Sequence, residues 1–524
     1  MSFPTQPDSE KTSLEQSRTN SWTESTVSRP TFQRRDSLAS LSVARDASQQ
    51  RNAGEPIWPK GWRPYTCLLG GFLLMFNSWG LVNTYGTYAS YYKQHLLPNR
   101  DLMLFNLIGS TQSFVVLILS AVIGRFLDAG YVRELIILGT LLVSIGSFML
   151  SIVNGDGGYN HGNYGLVWLT QGFVSGLGMA CFFVSSSQVV ATWFKYRKGL
   201  AIGIVASGAS IAGLVYPMMA KPLMVTFGFN VATRYVATVT TVTCAIAIFI
   251  ARPSPSHIIR EPERWADFRV FVDTQAFKNA PFVWLCAAIC FLFFGFYAVF
   301  FNLEEWAAST GLGYKDNIPG SLDDVDLNHE VPKDAIRTFY LLSIMNATST
   351  LGRVSSAYLC DHFGALNVHA VVTFVASLLV LLLWTMAKTT SAAIAFVVLF
   401  GIFSGAVIGL PPASVAYILG PDPTAQSRLG QWTGMMYSTS AVFALTGPVI
   451  AGHLITQFGG NYFTVQCWSG ACLFLSAVCM SMAILFKHKK PSKQWQDHGQ
   501  RSASCATSTA PVLRSRADSE KEDV

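Results

Sequence analysis

Charge is scarce in this chain. Only 13% of its 524 residues are Asp, Glu, Lys or Arg, about half the roughly 25% of an average soluble domain. With 51% hydrophobic residues and a mean hydropathy of +0.35, this excludes an ordinary water-soluble fold. The 10 cysteines include no Cys-x-x-Cys pair, which leaves no pattern for a zinc site or a redox dithiol. No glycine-rich phosphate loop ending in Gly-Lys-Ser/Thr occurs, which argues against a nucleotide partner and against direct ATP drive. Alternating segments of about ten residues are missing too, and a membrane β-barrel needs them. The N-terminal stretch MSFPTQPDSEKTSLEQSRTNSW has no apolar core, so it is not expected to be a signal peptide. The basic residues behind the net charge of +7 are spread over tails and short loops. They form no compact basic face for nucleic acid.

What is present is a series of apolar stretches. Each is long enough to cross a hydrocarbon core about 30 Å thick as a helix. Helices suit that solvent because they satisfy their backbone groups internally. The stretches fall at about 66–88, 103–126, 135–153, 164–190, 199–220 and 232–251, then 282–303, 336–357, 367–387, 391–412, 430–452 and 463–486. The expected fold is therefore an all-α integral membrane protein of 12 helices in two six-helix halves. Residues 1–64 read as a disordered N-terminal tail, 65–251 as the first half, 252–281 as a linker, 282–486 as the second half and 487–524 as a C-terminal tail. In the first tail, RRDSL at 34–38 would suit a basic-directed kinase at Ser37, though a plain solvated tail is the simpler reading.

Orientation follows from Lys and Arg in short loops. One set of loops holds Arg125, Arg133, Lys195, Arg197, Lys198, Arg252, Arg260, Arg264, Arg269, Lys278 and Arg428. The opposite set holds Lys93, Arg100, Lys221, Lys315, Lys333, Arg337 and Lys388, with an acidic loop that begins at Glu304. Both termini are thus expected in the cytoplasm, with the plasma membrane as the default location. The KHKK run at 487–490 suits an anionic inner leaflet. The sequon Asn346-Ala347-Thr348 falls inside a span and is expected to stay unglycosylated.

Between spans two and three the chain reads SAVIGRFLDAGYVRE, and between spans eight and nine it reads SAYLCDHFGALNV. Both begin with Ser-Ala, and both place an Asp shortly before a Gly: Asp128 with Gly130, and Asp361 with Gly364. This repeat across two six-span halves resembles the major facilitator superfamily. The family's loop motif matches at Gly124, Asp128, Gly130 and Arg133, beside Arg125. The resemblance implies that the Asp caps a neighbouring helix and pairs with arginine, as a gate. A carboxylate is stabilised at a helix N-terminus, and a breakable contact suits a two-state gate. The stretch TWFKYRKGLAIGIVASGASIAG at 192–213 is also similar to the signature of the monocarboxylate transporter family, in its fungal branch. It matches at Phe194, Arg197, Lys198, Leu200, Ala201, Gly203 and Gly208, and departs at Trp193, Tyr196, Val205 and Ser207.

Arg353 lies deep in span eight, and an intramembrane arginine is a functional candidate by default. Its planar fork binds carboxylates in a bidentate way. In the animal members of the resembled family an arginine here pairs with substrate and with an aspartate one turn earlier. This chain has Ser349 in place of that aspartate, and Asn83 where those members carry a lysine. Proton coupling by the usual set is therefore in doubt. Further candidates for the substrate cavity are Tyr85, Tyr297, Asn302 and Tyr437. Asn77, Trp79, Tyr88, Phe291, Phe294, Gln431, Trp432 and Ser440 are weaker ones, and Arg234 could belong to an outer gate.

The expected function is secondary transport of a small organic molecule or anion by alternating access, with efflux of an organic acid or secondary metabolite ahead of proton-linked monocarboxylate uptake. No cofactor or metal is expected, beyond a proton. A non-transporting nutrient sensor is the alternative of another class. A membrane-embedded enzyme would need clustered His, Asp or Glu in the spans, and they hold almost none.

Overall fold

The computed structural model describes residues 59–194, 198–255, 270–315, 336–420, 423–426 and 428–488. Ser37, Lys195, Arg197, most of the linker and the end of the KHKK run lie outside them. The first half is α1 (Arg63–Leu96), α2 (Leu102–Asp128), α3 (Val132–Leu150), α4 (Tyr164–Ala191), α5 (Lys198–Phe227) and α6 (Phe229–Ile250). The second half is α7 (Ala280–Ser309), α8 (Thr338–Phe363), α9 (Ala365–Trp384), α10 (Thr390–Leu419), α11 (Leu429–Gln457) and α12 (Phe463–His488). Among the described residues, every one of these except α8 is long and apolar enough to cross a membrane.

α8 falls short because it carries Asn346, Ser349, Arg353 and Ser356, and all four are buried. Its outer side keeps Leu351, which is 64% exposed. The polar groups face protein and the apolar ones face outward, as a lipid solvent demands. Small residues let its neighbours come close. A side chain on Gly203 of α5 would stand 3.0 Å from the Arg353 carbonyl, and one on Gly352 would overlap the Ile402 carbonyl of α10.

The halves meet along two seams, α2 on α11 and α5 on α8, and α7 also packs on the second segment of α1 (Trp79–Tyr91). α1 begins at the near end of the bundle, and the far end lies opposite. At the far end β1 (Gly313–Tyr314) pairs in parallel with β2 (Ile336–Arg337), tying the exit of α7 to the entry of α8.

Three helices contain breaks. α1 stops at Phe76 and restarts at Trp79. Asn77 then bonds back to the Leu73 carbonyl at 3.0 Å, and Ser78 reaches across to the Met179 carbonyl. α2 is interrupted at Leu119. α10 is interrupted at Leu410, where Pro411 starts its last segment; a helix's first turn suits proline because its missing N–H has no partner there anyway.

Two charges expected in far-end loops are inside helices. α5 continues to Phe227 and α7 to Ser309, so Lys221 and Glu304 are each only 1% exposed. A hydropathy reading ends a span at its first charge. Here the charges face the other half rather than lipid. Asn346 of the sequon is buried against Gly213.

Candidate functional site

A cavity lies between the halves, below the break in α1. Its walls include Trp79 (α1), Phe183 (α4), Ala206 (α5), Arg353 (α8), Pro412 (α10) and Tyr437 (α11). The breaks of α1 and α10 both border it. Discontinuous helices at the midplane between repeats are where transporter sites form. The cavity has a volume of about 30 Å³, room for one or two waters.

Arg353 is its one charged wall among the described lining residues. It is 4% exposed. Its Nε donates to Ser349 Oγ at 3.4 Å and its Nη1 to the Ala206 carbonyl at 3.0 Å. Ser349 in turn shares a 2.9 Å bond with Ser210 of the first half. A guanidinium has five N–H donors, so most of this fork has no acceptor among the described residues. Tyr297 and Tyr437 are the side chains in electrostatic contact with it. Trp79, Phe183 and Tyr437 line the cavity, and Tyr297 and Phe293 stack behind them. Trp79 stacks on Tyr297 at 5.5 Å and 11°, and meets Phe183 edge-on at 5.3 Å. Phe183 packs on Tyr437 at 4.8 Å, and Phe293 stacks on Tyr297 at 6.1 Å.

The structure thus brings Arg353, Tyr297 and Tyr437 together. It places Asn83, Tyr85 and Asn302 elsewhere. Asn83 donates to the Ala209 carbonyl at 3.4 Å. Tyr85 bonds the Phe105 carbonyl and meets Phe301 edge-on. Asn302 accepts from Asn106 at 3.1 Å, and Asn106 also reaches the Pro448 carbonyl. These last contacts join the halves in the far-end seam. Gln431 and Trp432 hold the linker instead, through the Val270 carbonyl and Asp273. Arg234 bonds Ser151 within the first half. Phe183 and Phe293 were not among the sequence candidates, because nothing separates them from the other phenylalanines of a 36-phenylalanine chain.

The repeated motif occupies the near end. Gly130 (φ +94°) and Gly364 (φ +83°) take the left-handed conformation that ends α2 and α8, which glycine adopts at least cost. A side chain on Gly124 would stand 3.1 Å from the Gly430 carbonyl, and one on Gly430 would stand 2.9 Å from Asp128 Oδ1. In the other half, one on Gly199 would stand 3.0 Å from Asp361 Oδ1. Each Asp therefore sits against the first turn of a helix in the opposite half, α11 for Asp128 and α5 for Asp361. That is where a helix attracts negative charge. Arg125 is half-buried beside the motif and Arg133 is exposed.

The sequence profile of the Major Facilitator Superfamily matches residues 67–426. The chain belongs to the major facilitator superfamily. Its relatives include the MFS-type transporter dbaD of Emericella nidulans, 29% identical over 370 residues, or 70% of this chain and 75% of that protein. The agnestins efflux protein of Paecilomyces divaricatus is 26% identical over 81% of this chain and 88% of its own length. The aspyridones efflux protein apdF of Emericella nidulans is 27% identical over 81% and 78%. Among solved structures, the E. coli fucose:proton symporter shares the fold, with a TM-score of 0.53 at 14% identity. The match covers 80% of this chain and 98% of the symporter. This superfamily transporter thus spans the membrane with its two halves facing each other across the Arg353 cavity.

Proposed function

We propose that this protein exports a small organic anion by alternating access, and that Arg353 holds the anionic group. The observation that carries this is a buried guanidinium, between the halves, with unused donors and no carboxylate among the described cavity walls. A buried charge without a counterion is costly, and a carboxylate on the substrate supplies one. The aromatic walls favour a substrate with a flat apolar body over a short aliphatic acid. Relatives named for the efflux of agnestins and aspyridones support export. The signature at 192–213 and Arg353 itself support a position near the monocarboxylate porters. The excess of Lys and Arg at the near end supports a cytoplasmic near end and cytoplasmic termini, with the plasma membrane as the working location.

The test is thermal stabilisation of the purified protein by a panel of acids, from short monocarboxylates to benzoate and naphthoate, each beside its neutral amide. A ligand that binds only the folded state raises the melting temperature. The acids should stabilise the wild type, the amides should not, and Arg353→Gln should lose the response. Equal stabilisation by acids and amides would overturn the anion reading.

A further inference from the structure

Among the described residues, one buried acid plays no part in the anion site. Glu304 lies near the far end of α7, 1% exposed. Its Oε1 accepts a hydrogen bond from Thr87 of α1, in the opposite half. Its Oε2 has no hydrogen-bond partner among the described residues. One position earlier on α1, a side chain on Gly86 would stand 2.8 Å from the Phe300 carbonyl. There is thus little space for water where α1 crosses α7. The charged groups that act on Glu304 among the described residues are Lys221 of α5, Lys315 beyond α7 and the neighbouring Glu305. Lys315 and Glu305 are already joined at 2.6 Å. Lys221 is itself buried, so it bears on Glu304 without bringing water.

An ionised carboxylate has about four lone-pair sites to satisfy, whereas the protonated acid is uncharged and carries its own donor. A dry seam offering one hydrogen bond suits the acid. When α1 and α7 part, water reaches both oxygens and Lys221 favours the carboxylate. We propose that Glu304 is the site where a proton binds from the far-side medium, and that binding it closes the far end. The step is carboxylate plus one proton giving the carboxylic acid, with the proton drawn from the far-side solution. In an exporter this supplies the return half of the cycle. Substrate leaves through the open far end, a proton binds, and the closed protonated form turns to the near side; when the loaded protein reopens at the far end, the acid returns its proton to the far-side solution and is a carboxylate again. The inference rests on the transporter reading but not on the identity of the substrate.

The test uses a pair of spin labels across the far end, at Asn99→Cys on the first half and Ser309→Cys on the second. Both positions are exposed. The accessible native cysteines are replaced by serine, and distances are read from about pH 5 to about pH 9 in detergent without substrate. The wild type should be short in acid and lengthen as pH rises. The open-to-closed ratio should change by up to about tenfold per pH unit, the limit for one proton. Glu304→Gln should stay short throughout. Glu304→Asp should keep the transition with a shifted midpoint, and Lys221→Gln should move the midpoint up. Arg353→Ala should keep a pH-dependent transition that Glu304→Gln abolishes, although its midpoint moves because the bond to the Ala206 carbonyl crosses the halves; this separates failure here from failure of the anion reading. A pH-independent wild type, or Glu304→Gln titrating like the wild type, overturns the proposal. So does loss of the transition in Arg353→Ala, because the proton would then belong to the central cavity.

Discussion

Asp128 and Gly430 meet across the two halves of the protein. The carboxylate ends α2 in the first half, and the glycine lies in the first turn of α11 in the second; a Cβ there would stand 2.9 Å from Asp128 Oδ1. Asp361 and Gly199 repeat the relationship with the halves exchanged. The same α2–α11 seam is stitched higher up by Ser438, whose hydroxyl donates to the Leu117 and Ile118 carbonyls at 3.1 and 3.0 Å. Closure of the near end is thus built from charge against helix termini plus backbone contacts that need small residues. All of these are polar enough to break without exposing a large apolar face.

Neutralising the carboxylates should therefore loosen the near end. A charge at a helix terminus contributes about 0.3–1 kcal/mol, so Asp128→Asn and Asp361→Asn should each raise the near-open population about two- to fivefold. The two contacts share no residue and should combine nearly additively. Reactivity of Ser187→Cys, which lines the cavity, towards a membrane-impermeant maleimide added from the near side reads that population. An unchanged rate in the double variant would sink the latch.

Much of this near end was legible in the sequence, because the Asp and Gly positions recur at fixed spacing and the span ends are marked by charge. Arg353 was legible for the same reason: a charge inside an apolar stretch stands out. Tyr297 and Tyr437 were named only as members of a larger aromatic set, and the structure separates them from Tyr85: Tyr437 lines the cavity and Tyr297 stacks on the lining Trp79, whereas Tyr85 bonds the Phe105 carbonyl. Asn83 and Asn302 looked like cavity groups because a polar residue in a span needs a partner. Each finds one in a neighbouring helix. Lys221 and Glu304 were misread as loop charges. Hydropathy registers their cost in lipid and is blind to the opposite half that receives them.

The aromatic walls should set affinity for the body of the substrate. Aromatic contacts contribute about 0.5–1.5 kcal/mol beyond their buried area. Trp79→Leu should therefore weaken naphthoate binding about two- to twelvefold, measured as the concentration that half-saturates the thermal shift. Tyr437→Phe keeps the ring against Phe183 and removes only the hydroxyl near Arg353, so it should cost less for naphthoate than Trp79→Leu. Short monocarboxylates, which cannot span the stack, should lose little in either variant. Equal losses for short and aromatic acids would mean that the rings serve packing alone.

The contact between α8 and α10 sets the position of Arg353, and a single methyl group should disturb it. A Cβ on Gly352 would overlap the carbonyl oxygen of Ile402, and one on Gly405 would strike the Ser349 carbonyl from the other side. Alanine is favoured over glycine in a helix by about 1 kcal/mol, so any loss on Gly352→Ala comes from packing and not from propensity. Overpacking typically costs about 1–3 kcal/mol, and here the obstacle is backbone, which cannot rotate away. Gly352→Ala should lower the thermal midpoint in detergent and weaken acid binding together, because α8 must shift and carry the guanidinium with it. Gly165→Ala is the control. It is helical, and its nearest neighbour would be an ordinary 3.6 Å contact with Asn163 Oδ1, so its midpoint should hold or rise. A Gly352→Ala protein as stable as the wild type would show that the two helices are free to separate, and that Arg353 is not held by the packing of α8 on α10.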